Sequence, residues 1–263
     1  MRSRNRPLRI TFSLIKACCL FSILVFGCAI STRADQTQAH VLVRPEVETS
    51  RRNGLAEKLR LITGWPDLKF DENGALRFGT AKSAGGSQTA RKLLAEAVSG
   101  QNVIILEDAS NSQSVVFCRV IEGRWKSGKA GLPPAYVVQI DFADFSHLMG
   151  DENALAAFNV GWGVMHEIEH VVHDSVDATR QGEAGECESL INQMRRECGL
   201  AERADYYFTS FPGTTKSDFK TKFVRIAFDR QTRQSKGKKR YWLIWDAELV
   251  GGMDEQKFLA ARL

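Results

Sequence analysis

Three runs rich in Val, Ile and aromatic residues, "NVIILED", "SVVFCRVIEG" and "AYVVQIDFADF", lead into "ENALAAFNVGWGVMHEIEHVVHD", where apolar residues recur at three- and four-residue steps. This change of period, from strand-like to helical, limits the fold more than any other feature. A long helix must pack against strands formed just before it, which is an α+β arrangement. The spacing predicts one helix of roughly twenty residues starting near Asp151. It carries His166, His170 and His173, three of the five histidines in the chain.

Other elements read from shorter signals. "LAEKLRLI" has Leu55, Leu59 and Ile62 at helical spacing. "LKFDENGALRF" reads as two short strands around an Asn73–Gly74 turn. "SQTARKLLAEAVSG" is a helix capped by Ser87 and stopped by Gly100. A further helix is expected from about Glu183 to Cys198, ending at Gly199 with Arg195 and Arg196 in its last turns. The tail "KFVRIAFDRQTRQSKGKKRYWLIWDAELV" reads as a C-terminal β-hairpin with a basic, solvated tip. The expected sheet is small and mixed, with "AYVVQIDF" near its edge, above the histidine helix.

The chain has 263 residues, 43% hydrophobic and 25% charged, which suits one globular domain with appendages. Its net charge of +5 comes from the extreme N-terminus. Arg2, Arg4, Arg6, Arg9 and Lys16 precede Cys28 with no acid among them, and without these five, 31 of the 36 basic residues face 31 acidic ones. No nucleic-acid footprint follows from that balance. "MRSRNRPLR" before the apolar "ACCLFSILVFGCAI" has the form of an export signal over residues 1–34. "LVFGC" is lipobox-like and allows cleavage before Cys28, with a lipid on that cysteine as a membrane attachment. Ordinary cleavage near Ala34 and an uncleaved anchor are the alternatives. All three export the protein, to the cell envelope or beyond it. Residues 35–54 read as a linker and 55–263 as the folded domain. Cys118, Cys187 and Cys198 remain; the last two, on one expected helix, stand roughly 16 Å apart, beyond disulfide reach. Cys118 bridges one of them, or all three are buried thiols. The absence of a CxxC pair speaks against a cysteine zinc site.

Residues four apart on a helix share a face, so His166 and His170 can hold one metal ion between them. Glu167 follows the first histidine. "HEIEH" is therefore HExxH, with a carboxylate placed to take a proton from water at a zinc ion. His173 lies on the same face about 10 Å along the axis from His166, too far for one ion on an unbroken helix. The third ligand is expected to be a carboxylate from elsewhere. In "GEAGECESLINQMRREC", Glu183 falls about 40° from the centre of the apolar face, with Glu186 and Glu188 about 100° off on opposite sides. Glu183 ranks first, with Glu186 and Glu188 as alternatives. Glu188 also forms an E-x-x-x-N pair with Asn192, whose amide is placed to orient a metal-bound histidine.

"HEIEH" followed by "GEAGECESLINQMRRECGLAERADYY" resembles the zinc metallopeptidase family of the secreted bacterial effector NleD. Asn192, Arg195, Gly199, Arg203 and Tyr206 match the family's order of Asn–x–x–Arg, glycine and Arg–x–x–Tyr. The resemblance implies a zincin-like domain binding Zn²⁺ and cutting a peptide or protein substrate, with Glu167 as general base. It gives Arg203 and Tyr206 a role in stabilising the oxyanion. Peptide substrates of such domains commonly add as a strand to a sheet edge. Two other functions fit the same motif: a non-catalytic metal-binding module of the envelope, and a zinc hydrolase of a non-peptide bond such as one in the cell wall.

Overall fold

The computed structural model describes residues 40–110, 112–123, 133–210, 223–231 and 237–250. The signal segment, Cys28 and the 232–236 tip of the C-terminal hairpin lie outside these residues. Every described residue belongs to one compact unit, Gln38–Leu263. No helix among the described residues is long and apolar enough to cross a membrane.

The architecture is α+β. The main sheet runs in the order β1 (Val41–Val43), β4 (Val103–Asp108), β6 (Ala135–Ile140), β5 (Cys118–Glu122). β1, β4 and β6 are parallel, while β5 pairs antiparallel to β6. β6 lies next to β5, so "AYVVQIDF" is near the edge as expected, while the edge strand itself is β5. Helices α1 (Thr49–Thr63), α2 (Gln88–Ser99), α5 (Val160–His173) and α6 (Gly185–Glu197) share one core with this sheet. Between β1 and β4, β2 (Lys69–Phe70) and β3 (Leu76–Arg77) form the expected hairpin, with Gly74 at φ +77° and Asp71 Oδ1 accepting from the Asn73 and Ala75 amides.

A second sheet has the order β7 (Met149–Gly150), β11 (Lys238–Asp246), β10 (Phe223–Gln231), β8 (Glu202–Arg203), with β9 (Thr209–Ser210) also on β10. β10 and β11 are the long C-terminal hairpin. They share an aromatic core with α4 (Glu152–Ala157), built around Phe117, Phe158, Phe228 and Trp245. The short α3 (Phe142–Ser146) links β6 to β7, capped by Asp141.

Two expectations change. The segment read as a linker is in the fold from Val41 onward, because β1 completes the parallel sheet and α1 begins at Thr49. The single long helix is two, α4 and α5. Phe158 and Asn159 adopt extended backbone between them, and the Asn159 side chain accepts from the Gly161 amide as an N-cap. The break lets Phe158 enter the aromatic core while α5 turns under the main sheet. Gly163 then permits close approach, since a Cβ there would lie 2.9 Å from Cys118 Sγ on β5. All three described cysteines are free thiols.

Candidate metal centre

α5 is packed against α1, α2, α6, β5 and β6, so most of its residues are buried, including His166 and Glu167. One turn apart, His166 and His170 bring their Nε2 atoms within 3.2 Å. Asp177, in the loop after the helix, places Oδ1 3.1 Å from His166 Nε2 and 3.5 Å from His170 Nε2. Donors at about 2.0–2.1 Å from a tetrahedral ion are separated by about 3.3 Å, so these three atoms have the spacing of one coordination face. Asp177 Oδ1 is buried and lacks a hydrogen-bond donor. These facing atoms call for positive charge among them, which a metal ion or protonated imidazoles would supply. Cys187 is the fourth member of the cluster, all of whose ligand atoms lie within 4.8 Å of one another. Its Sγ stands 3.4 Å from His166 Nδ1 and donates to the His166 carbonyl, so it backs the imidazole.

The electrostatics report the same demand. Burial works to lower the basicity of His170, but Asp177, Cys187 and the Ser175 carbonyl outweigh it and push its pKa up to about 10. Burial acts on Asp177 in the opposite sense, and the two imidazoles and Tyr206 hold its carboxyl far below the usual range.

The outer nitrogen of each histidine is also held. His170 Nδ1 lies 2.7 Å from the Ser175 carbonyl, and His166 Nδ1 lies 3.3 Å from Glu188 Oε2. With protons on Nδ1, both Nε2 lone pairs face Asp177. Glu188 is fully buried between Arg195 and Arg203, whose charges overcome its burial and keep it ionised. Asn192 organises those arginines: its Oδ1 accepts from Arg195 Nη1 and the Arg203 amide. The expected Glu188–Asn192 pair thus works in reverse, with the carboxylate orienting the histidine and the amide orienting the arginines.

The loop bearing Asp177 is pinned at both ends. Asp177 bridges to Gly185, and Val176 accepts from the Glu186 and Cys187 amides. Tyr206 Oη donates to Asp177 Oδ2 at 2.7 Å, Tyr207 Oη donates to the Ala178 carbonyl, and Asp205 accepts from the Gly182 amide. Arg203 bonds to the carbonyls of Asp205 and Tyr206 as well as to Glu188. Tyr206 and Arg203, expected at an oxyanion, are thus engaged with the Asp177 carboxylate and with the partner of His166.

Glu167, next to His166 on α5, is buried. Burial raises its pKa against the opposing pull of His166 and His170. With His166 it lines a cavity of about 710 Å³ that reaches to the second sheet.

Of the expected ligands, His166 and His170 are brought together. Glu183 and Glu186 are exposed and outside the cluster. Glu188 touches His166 from behind. The carboxylate beside both imidazoles is Asp177, and Cys187 joins it despite the lack of a CxxC spacing. His173, further along α5, bonds to Glu169 and Glu96. Comparisons with protein-family models, curated proteins and solved structures return no match.

Proposed function

We propose that the chain is an exported zinc-dependent peptidase with a zincin-like domain, related in chemistry to the family its HExxH and Arg–x–x–Tyr segments resemble. One observation carries this reading: two Nε2 atoms and Asp177 Oδ1 converge at coordination spacing, and Glu167, the residue after His166, lines a large cavity together with it. Two imidazole nitrogens and a carboxylate oxygen, from His166, His170 and Asp177, are a donor set that would suit Zn²⁺. The ion supplies Lewis acidity, which acidifies water and polarises a carbonyl.

The protein groups divide the remaining work. His166, His170 and Asp177 hold the ion. Glu188 and the Ser175 carbonyl fix the imidazoles, and Tyr206 fixes Asp177. Glu167 is not a member of the ligand cluster. It accepts the proton of the attacking water and returns it to the leaving amine, a task suited to a buried carboxylate of raised pKa. A purely structural metal site has no use for such a base beside a cavity. β5 is the open edge to which a peptide adds as a further strand. Residues 1–34 direct export, with Cys28 as the lipid attachment point.

Metal analysis of the purified protein, paired with a peptide-library cleavage assay with and without chelator, tests the reading. One equivalent of zinc and chelator-sensitive cleavage are expected. A protein that takes up no zinc contradicts it.

A further inference from the structure

We propose that the outer face of the C-terminal hairpin is a docking surface for an anionic membrane, lying flat on its phosphate-bearing lipid headgroups. Antiparallel strands that cover a core with one face ordinarily show polar residues on the other. β10 and β11 cover the aromatic core with Val224, Ile226, Leu243 and Trp245. The register puts the alternate positions on the opposite face: Arg225 across from Ile244, Ala227 from Trp242, and Asp229 from Arg240. Met149 on β7 extends that face beside Ile244, and Phe223 begins it across from Asp246. Met149 and Phe223 are 45% and 40% exposed, and Trp242 and Ile244 are half-buried. Large apolar side chains are thus set among cations where a solvated sheet face carries polar groups, which marks an interaction surface.

Charge names the partner. Among the described residues of β10 and β11, Arg225, Arg230, Lys238, Lys239 and Arg240 stand against Asp229 and Asp246. Beyond the N-terminal segment the chain is balanced, so this excess is local. Arg240 binds both oxygens of Asp229, at 2.8 and 2.9 Å, and so offsets the acid nearest the exposed Lys238 and Lys239. Trp242 stacks on guanidinium groups, with Arg225 Cζ 4.0 Å and Arg240 Cζ 5.8 Å from its ring centroid. An amphipathic indole, cations and aliphatic side chains on one surface match the boundary between headgroups and acyl chains. A single-stranded nucleic acid asks instead for aromatic faces open to stacking bases, whereas Trp242 is already stacked, and Met149 and Ile244 have no ring. The inference is independent of the peptidase reading. Export, with a lipid on Cys28, enters only in choosing a membrane as the anionic surface.

The test uses the chain from Asp35 onward, which contains the whole compact unit Gln38–Leu263 and lacks the apolar signal. Sedimentation with vesicles of phosphatidylcholine alone, and of phosphatidylcholine with phosphatidylglycerol, measures binding. The protein should bind the anionic vesicles, leave the neutral ones, and dissociate as salt is raised. Lys238→Gln with Lys239→Gln should weaken binding by about 30-fold, at roughly fivefold per cation. Met149→Ser with Phe223→Ser should weaken it by about tenfold. A second measurement needs no variant. Anionic vesicles should protect Lys238 and Lys239 of the wild type from acetylation, read by mass spectrometry, while the exposed Lys92 on α2 stays reactive. Equal uptake by the two kinds of vesicle, unchanged binding after loss of both lysines, or no protection of Lys238 and Lys239 overturns the proposal. Tighter binding of a single-stranded oligonucleotide than of anionic vesicles, lost with the same two lysines, also overturns it and assigns the surface to nucleic acid. None of these outcomes depends on zinc or on cleavage, so the surface and the peptidase reading can fail separately.

Discussion

The central residue is Asp177, which no periodicity announces. The pairing of His166 with His170 was legible because a helix fixes their spacing. Asp177 lies in an irregular loop, and its position depends on the Gly185 bridge and on Tyr206, contacts that no local pattern encodes. Glu183 read as inward-facing only because the helix was extended to it; α6 starts at Gly185, so the angular reckoning does not apply there. Asp177→Ala should therefore reduce zinc stoichiometry sharply, while Glu183→Ala and Glu186→Ala leave it intact, as measured by elemental analysis after gel filtration. Retention of zinc by Asp177→Ala, with its loss from Glu183→Ala, would restore the first ranking. Tyr206→Phe removes the donor to Asp177 Oδ2 and should weaken zinc affinity by about 10- to 100-fold, read by competition with a chelating dye. Unchanged affinity with lowered turnover would instead return Tyr206 to the oxyanion.

At the scale of elements, the sequence revealed helices and strands better than their junctions. The hairpin at Gly74 and the capped α2 were legible because turn and cap chemistry are local. The break at Phe158–Asn159 was not, because the apolar spacing continues across it and the gain that favours it is tertiary, the burial of Phe158 in the second core. Which strand forms the edge was equally hidden, since pairing order is a long-range property. One junction gives a measurable pH dependence. Glu197, at the end of α6, accepts from the Ser87 and Thr89 hydroxyls and the Thr89 amide at the start of α2. Its slight burial works upward, but these bonds lower its pKa to about 2 from an ordinary 4.5. A depressed pKa means that the stabilisation is present above about 4.5 and fades as the pH falls toward about 2. Urea midpoints of wild type and Glu197→Gln should differ at pH 6 and converge as the pH approaches about 2. A gap that stays constant with pH would show that the carboxylate charge is not responsible.

At the scale of the whole molecule, the metal centre joins α5, the Asp177 loop and, through Glu188 and Arg203, the second sheet. Ion binding should therefore stabilise the complete fold by RT ln(1 + [metal]/Kd), about 2.7 kcal/mol at a hundredfold excess over Kd. Thermal unfolding should shift upward with zinc and return with chelator, and His166→Ala should show no shift. An equal zinc-induced shift in His166→Ala would place the ion elsewhere.

The proposed chemistry rests on Glu167, beside the ligands but outside their cluster, and Glu167→Gln keeps its shape while removing the base. The direct measurement is zinc content and cleavage rate of this variant against wild type on the same identified peptide. The expected result is equal zinc, an unchanged circular dichroism spectrum and a loss of turnover of about 10²- to 10⁴-fold. A zinc-loaded Glu167→Gln protein that cuts the peptide at the wild-type rate would contradict the account.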